Sequence, residues 1–146
     1  MRKFVLLILV LMLASPAAAK WVQQRYGPVY MAITSDSAET VGLSFGMARG
    51  QEPMVYISAL RAGDRRYVPG GKKIYWEVDG SAHGKTAILT EDGLTCFITE
   101  AQLQEVMNGN RMRVSYTSVT GDRVNASFSL AGSRAAIQQA RRSAGQ

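Results

Sequence analysis

The chain contains very few of the side chains that metal sites and activated nucleophiles require. Its 146 residues include one cysteine, Cys96, and one histidine, His83. A protein zinc site uses three or four His, Cys or carboxylate ligands at suitable spacing, so we expect neither a metal nor another cofactor. A single cysteine also cannot close a disulfide within the chain.

Cys96 lies in a short run that alternates like a β-strand. The run Leu94-Thr95-Cys96-Phe97-Ile98 places the cysteine on the same face as Leu94 and Ile98. Buried free cysteines behave as small apolar side chains, so we predict that Cys96 faces the core. A reactive thiol and an intermolecular disulfide are the alternatives.

The chain also lacks an apolar run of membrane-spanning length. Residues 4–13 form the longest one, and it is about half as long as the roughly 20 residues that a spanning helix needs. Arg2 and Lys3 precede it, and residues 15–19 end in the small residues of an A-x-A cleavage site. This pattern predicts a secretory signal peptide that is cleaved before Lys20.

After cleavage, residues 20–146 remain as one small domain, which we expect to lie in the periplasm or to be secreted. We expect this domain not to span a membrane. The signal holds two of the 17 basic residues and none of the 11 acidic ones. Residues 20–146 therefore carry 15 positive and 11 negative charges, a net charge of +4. A mildly basic surface favours contact with anionic surfaces, although an ordinary solvated surface has the same composition.

Basic residues concentrate in two loop-like segments, 61–66 and 69–73, and the only histidine lies in a third, the turn-like segment 79–85. Loops on a rigid scaffold often carry recognition. We predict an interaction surface for an envelope or extracellular protein or for an anionic surface, and not for nucleic acid, because the protein is exported. Its residues are Arg61, Arg65, Arg66, Lys72, Lys73 and His83.

What the sequence does contain is apolar residues that recur with a period of two in short runs. This alternation predicts a mainly β fold, an antiparallel sandwich or barrel of about eight short strands. The clearest pair flanks the turn residues 120–122 and reads as an antiparallel hairpin with one apolar face. The predicted strands are 29–34, 40–48, 54–60, 73–78, 86–90, 94–98, 112–119 and 124–130.

Two segments have helical patterns instead. Thr99-Glu100-Ala101-Gln102 matches a capping box, and the apolar residues that follow have helical spacing up to Gly109. The match predicts a short helix over 100–108. A second helix is predicted over 133–142, with the Ser133 hydroxyl as its N-terminal cap.

No motif in the sequence supports an enzyme. His83 has no accompanying G-x-S-x-G motif, and the glycine-containing loop at 69–73 lacks P-loop spacing. A nucleophilic pair of Cys96 and His83 would need the fold to bring them together. A pair of carboxylates could serve glycoside hydrolysis; the candidates are Glu77, Asp79, Glu91 and Asp92. We expect the protein not to be an enzyme.

Three sequence blocks in the second half resemble the invasion-associated locus B family of small exported proteins. The blocks are Trp76-Glu77-Val78-Asp79-Gly80, then 93–98 with the short helix that ends at Gly109, and then 128–136. The resemblance covers roughly residues 74–136. That family commonly has a further cysteine several residues before the position of Cys96, where this chain has residues such as Leu89 and Thr90. Its usual disulfide is therefore missing here.

The resemblance implies a periplasmic or outer-membrane-associated β-sandwich without catalytic residues, in a family linked in some bacteria to host-cell invasion. Together with the residues it favours a non-catalytic, exported binding or accessory protein of the envelope. The alternative is an inhibitor or immunity protein that binds an envelope enzyme such as a cell-wall hydrolase. The oligomeric state stays open.

Overall fold

The computed structural model describes residues 20–61, 63–91 and 93–146, and in these ranges it contains ten strands and two helices. The strands and helices are short and follow the predicted mainly β pattern. In chain order they are β1 (Val22–Tyr26), β2 (Val29–Ser35), β3 (Val41–Met47), β4 (Met54–Ala59), β5 (Lys73–Val78), β6 (Ser81–Thr86), β7 (Ile88–Leu89), β8 (Gly93–Phe97), α1 (Glu100–Asn108), β9 (Arg111–Thr117), β10 (Arg123–Ser129) and α2 (Ser133–Ser143).

The strands form two antiparallel sheets. One has six strands in the order β1-β2-β3-β4-β8-β7, and the other has four in the order β10-β9-β5-β6. The chain crosses from the four-stranded to the six-stranded sheet at the buried residue Ala87, between β6 and β7. The sheets form a β-sandwich and do not close into a barrel. The predicted antiparallel β fold is thus confirmed.

Alternating apolar side chains from both sheets meet in one core. On β9, Met112, Val114 and Tyr116 are buried, whereas the residues between them are exposed or half-buried. All residues of β3 are buried, because this strand lies inside the six-stranded sheet. Leu103 of α1 and Ile137 of α2 join the same core. Each sheet therefore has one inner and one outer face.

Helix α1 begins and ends as predicted. The Gln102 main-chain N–H donates to Thr99 Oγ1 (3.1 Å), and the Thr99 N–H donates to Gln102 Oε1 (2.9 Å). This capping box satisfies two N–H groups that have no partner inside the helix. At the other end the Gly109 N–H donates to the Val106 carbonyl.

The predicted cap of α2 is wrong. The N-cap residue is Gly132, with a φ of 84°, and no side chain caps the helix. Ser133 is instead the first helical residue, and its hydroxyl donates to the Val106 carbonyl of α1 at 3.2 Å. The serine is completely buried, so its hydroxyl takes the acceptor that the packing of the helices offers.

Strands β1 and β6 were not predicted, and the predicted strand 86–90 is reduced to the two residues of β7. Both missed strands lie at sheet edges, and most of their residues are exposed. An edge strand with little burial needs no alternation of apolar residues, so the period-two pattern is absent. The strand at 86–90 is cut short because the chain changes sheets at Ala87.

Among the described residues no helix is long and apolar enough to cross a membrane. The predicted signal peptide, residues 1–19, lies outside the described ranges.

Candidate binding sites

The predicted basic residues have different settings in the fold. Arg66 is neutralised locally, since its guanidinium forms an ion pair with Asp64 at 2.8 Å and lies 5.7 Å from the centroid of the Tyr67 ring. Hydrogen bonds from this arginine hold the pKa of Asp64 below its ordinary value. Arg61 donates to the Ala38 carbonyl at 3.0 Å. These two side chains thus already have partners in the fold.

The remaining basic residues of the prediction are exposed. Arg65 lies in the loop between β4 and β5, Lys72 lies just before β5, and Lys73 is the first residue of β5. The loop is fixed to the end of β9, because the Gly70 N–H donates to the Thr117 carbonyl at 2.9 Å. A common interaction surface for these residues stays a prediction.

The placement of His83 in a turn is wrong. The turn between β5 and β6 consists of Asp79 and Gly80, and His83 lies in β6, partly buried. Its ring centroid is 5.2 Å from that of Trp76, and its Nε2 is 3.0 Å from Glu105 Oε2. The histidine therefore ties an edge strand to helix α1. The contacts of His83 with Trp76 and Glu105 could not be predicted from the sequence, because β6 has no recognisable strand pattern.

Cys96 is buried, as predicted. It lies in β8, is 7% exposed and belongs to the core. Burial raises the pKa of its thiol. A buried thiol with a raised pKa is a poor nucleophile, because the thiolate is the reactive form.

The three acidic candidates that the structure describes also have separate settings. The Asp79 carboxylate accepts hydrogen bonds from the main-chain N–H groups of Asn110 (2.8 Å) and Arg111 (3.1 Å), so it stabilises a turn. Glu77 is half-buried in β5, and Glu91 is exposed after β7. Asp92 lies outside the described residues.

A groove of about 470 Å³ runs across the outer face of the six-stranded sheet. We call it the apolar groove. Its lining comes from β1, β2, β3, β4 and β8 and contains no Asp, Glu, Lys, Arg or His. The lining residues are Gln24, Tyr26, Val29, Met31, Ile33, Ser44, Met54, Tyr56, Ser58, Leu60 and Thr95.

The groove exists because the outward positions of β3 are small. They are Gly42, Ser44 and Gly46, and they alternate with the inward residues Leu43 and Phe45. On the neighbouring strands the outward positions paired with them carry larger side chains, so β3 forms a floor between two walls. A side chain at either glycine would crowd the side chains of the walls. A Cβ on Gly42 would lie 3.0 Å from Leu60 Cδ2, and one on Gly46 would lie 3.0 Å from Val29 Cγ1.

The apolar groove also presents hydrogen-bonding groups without partners. In the part of the chain that the structure describes, the side chains of Gln24, Ser44, Ser58 and Thr95 make no hydrogen bond, and neither does the Tyr56 hydroxyl. Polar groups in an apolar setting are costly to bury unless they find partners. An occupant of this groove therefore has to be mostly apolar and to offer hydrogen-bond partners along its length.

Sequence reasoning missed this groove. Its one signal is the small outward triplet at 42, 44 and 46, set between strongly apolar inward residues. The walls come from strands that are neighbours only in the folded sheet.

Comparison with known proteins gives one informative similarity. No protein-family model matches the chain, and no curated protein matches it. The crystal structure of invasion associated protein B from Bartonella henselae is similar, with a TM-score of 0.53. The superposition covers 82% of this chain and 95% of that chain, at 12% identity. What the two chains share is the fold. The resemblance seen in the sequence is confirmed at that level, and membership of a sequence family is not shown.

Proposed function

We propose that this protein is a non-catalytic accessory protein of the bacterial envelope, exported by its N-terminal signal, that binds an extended apolar segment of a partner protein in the apolar groove. The observation that carries the proposal is the chemistry of that groove: an open face of about 470 Å³ whose lining has no charged side chain. Exposed apolar patches on monomeric proteins commonly mark interaction sites.

A polypeptide segment fits the groove better than a lipid chain does. The floor strand β3 has seven residues, which corresponds to roughly 24 Å of extended chain. The hydroxyl and amide groups along the groove match the N–H and C=O groups of an extended peptide, whereas an acyl chain would leave them without partners. A charged segment would lose its hydration without gaining an ion pair.

The candidate catalytic groups support a non-catalytic role. Cys96 lies in the core with a raised pKa, and the Asp79 carboxylate is occupied by two main-chain N–H groups. The fold likeness to an invasion associated protein agrees with an accessory role.

Photo-crosslinking from inside the groove tests the proposal. The full chain, with a photoreactive phenylalanine in place of Tyr56, is expressed in its native host and irradiated, and the crosslinked peptides are sequenced. We expect crosslinks to apolar, weakly charged segments of one envelope protein. Met31→Lys, which adds a charge to the groove wall, should abolish them, and Gln139→Lys, which adds the same charge at an exposed position of α2, should not.

Crosslinks that survive Met31→Lys, or that join only lipid, would contradict binding of a peptide in this groove. A stable one-to-one complex with an envelope enzyme whose activity is lost on binding would favour the inhibitor alternative. Fractionation of the same cells tests export, because the mature protein should be recovered from the periplasm or the medium with Lys20 as its first residue.

A further inference from the structure

The outer face of the four-stranded sheet has the opposite character to the apolar groove. We call it the cationic face. By strand alternation its outward charged residues are Lys73, Arg111, Arg113, Arg123 and Glu77. Four positive charges and one negative charge give +3, which is most of the +4 that residues 20–146 carry. The excess charge of the domain is thus concentrated on one face.

Arg123 is held in a fixed position on this face. Its guanidinium lies 5.0 Å from the centroid of the Tyr75 ring, and its Nη2 donates to Ser115 Oγ at 2.9 Å. The Tyr75 ring itself lies against Gly84, where a Cβ would approach a ring carbon to 2.9 Å. These partners are all neutral, so they orient the guanidinium without cancelling its charge.

Arg113 has more N–H groups without a partner than Arg123 has. It faces Glu77 across the β5–β9 pair. Within residues 20–61, 63–91 and 93–146, however, neither side chain makes a hydrogen bond or an ion pair. An arginine presents five N–H donors in a planar fork that matches carboxylate, sulfate or phosphate oxygens.

An open hollow of about 560 Å³ has Arg113 among its lining residues, and Arg123 donates to another of them, Ser115. Its floor includes Ser115, Asn125 and Ser127, with Arg113 and Tyr75 beside them. The register places Arg113 opposite Ser127, four residues along β10 from Arg123, so the main-chain positions of the two arginines are roughly 14 Å apart along the strands. Anionic groups repeated along a chain could reach both.

We propose that the cationic face binds an acidic polysaccharide, with Arg113 and Arg123 pairing with separate anionic groups of one chain. Asn125 and Ser127 of the floor then exchange hydrogen bonds with hydroxyl groups of the sugars, and Glu77 accepts one more. This site is independent of the apolar groove, because the two lie on the outer faces of opposite sheets.

The shape of the face favours a polysaccharide over a lipid bilayer. Surface-binding proteins insert aromatic or aliphatic side chains at the headgroup boundary. The outward strand positions of the cationic face carry a single aromatic side chain, that of Tyr75, which is 39% exposed and is held against Arg123. Ser115, Asn125 and Ser127 place hydroxyl and amide groups in the hollow, and such groups suit hydroxyl-bearing ligands.

Titration of the full chain with polygalacturonate tests the proposal, with neutral dextran and phosphatidylglycerol vesicles as parallel probes. We expect polygalacturonate to bind, dextran not to bind, and affinity to fall as salt rises. The double variant Arg113→Gln with Arg123→Gln should bind at least about tenfold more weakly, since it loses two charged hydrogen-bonding groups.

The matched control is Arg134→Gln with Arg142→Gln, which removes the same charge from exposed positions of α2. It should bind within about twofold of the unmodified chain, and both double variants should keep its melting temperature within a few degrees. Equal weakening in both double variants would mean that net charge alone drives binding and would overturn the site. Binding to the vesicles but not to polygalacturonate, or to neither, would overturn the ligand class.

Discussion

Tyr116 brings a polar group into the core. Its side chain is fully buried in β9, and its hydroxyl donates to the Tyr67 carbonyl at 2.5 Å. Tyr67 belongs to the loop between β4 and β5, so this bond fixes that loop to the four-stranded sheet. Burial raises the pKa of the Tyr116 phenol well above its ordinary value, and the charges of Asp36 and Tyr67 act in the same direction.

Tyr116→Phe should lower the free energy of unfolding by about 1 kcal/mol at neutral pH, because the Tyr67 carbonyl loses its partner. This difference should shrink in strong alkali. Above pH about 10, Tyr116 loses its proton in the unfolded chain but keeps it in the folded one. The unmodified chain therefore loses stability as the pH rises, and the phenylalanine variant lacks this contribution to the loss.

Urea unfolding of both chains at pH 8 and at pH 11 measures the effect. The other tyrosines titrate in both chains, so the difference between the two isolates Tyr116. A gap of unchanged size at the two pH values would contradict a raised pKa for this residue.

At the scale of the element, strand β8 fits against β4 only because it begins with glycine. A Cβ on Gly93 would lie 2.0 Å from the Ile57 carbonyl oxygen and 3.0 Å from the Tyr56 ring. The nearest atom is main chain and cannot rotate away. The pairing of Gly93 with Ser58 therefore depends on the absence of a side chain.

Gly93→Ala should lower the free energy of unfolding by at least about 2 kcal/mol, because the added methyl group forces β8 away from β4. The matched control is Gly63→Ala in the loop before β5, where no described atom lies within 4 Å of the added Cβ. The control should change stability by less than about 0.5 kcal/mol. Chemical denaturation compares them, and equal effects would show that β8 can move without cost.

The elements also differ in how far the sequence predicts them. Helix α1 was predicted with its correct bounds because the capping box and the apolar spacing both act within one short segment. The edge strands β1 and β6 were missed because their existence depends on a partner strand and not on their own burial. The N-terminus of α2 was misread because Ser133 finds its acceptor on another helix.

At the scale of the whole molecule, one core joins both sheets and both helices. Ile137 of α2 is completely buried in that core, and α2 packs on β2, β3 and α1. Trp76, in the four-stranded sheet, belongs to the same core and is 3% exposed. Shared burial of this kind predicts cooperative unfolding of the domain.

Ile137→Ala should lower the free energy of unfolding by about 2 to 5 kcal/mol through lost burial and the cavity that it leaves. Tryptophan fluorescence and far-UV circular dichroism should shift together, because the cavity lies in the core that the sheets share. The control Gln138→Ala changes an exposed residue of the same helix and should have an effect below about 0.5 kcal/mol. Two separate transitions, or unchanged fluorescence, would contradict a single core.

The sandwich leaves two outer faces with contrasting chemistry. The apolar groove has no charged side chain, whereas the cationic face carries four positive charges. The two proposed sites lie on the outer faces of opposite sheets and share no residue. Both proposals can therefore be tested separately on the same folded chain.

The sequence by itself determined the properties that depend on neighbouring residues. The period-two alternation established the β class, the inward face of the last hairpin and the burial of Cys96, and the capping box established α1. Only the tertiary structure decided which strands lie side by side. It placed His83 against Glu105, set the small outward residues of β3 between large ones, and brought Tyr75 of β5 beside Arg123 of β10. Each of these sites joins segments distant in the chain, and hydrophobic periodicity carries no information about such pairings.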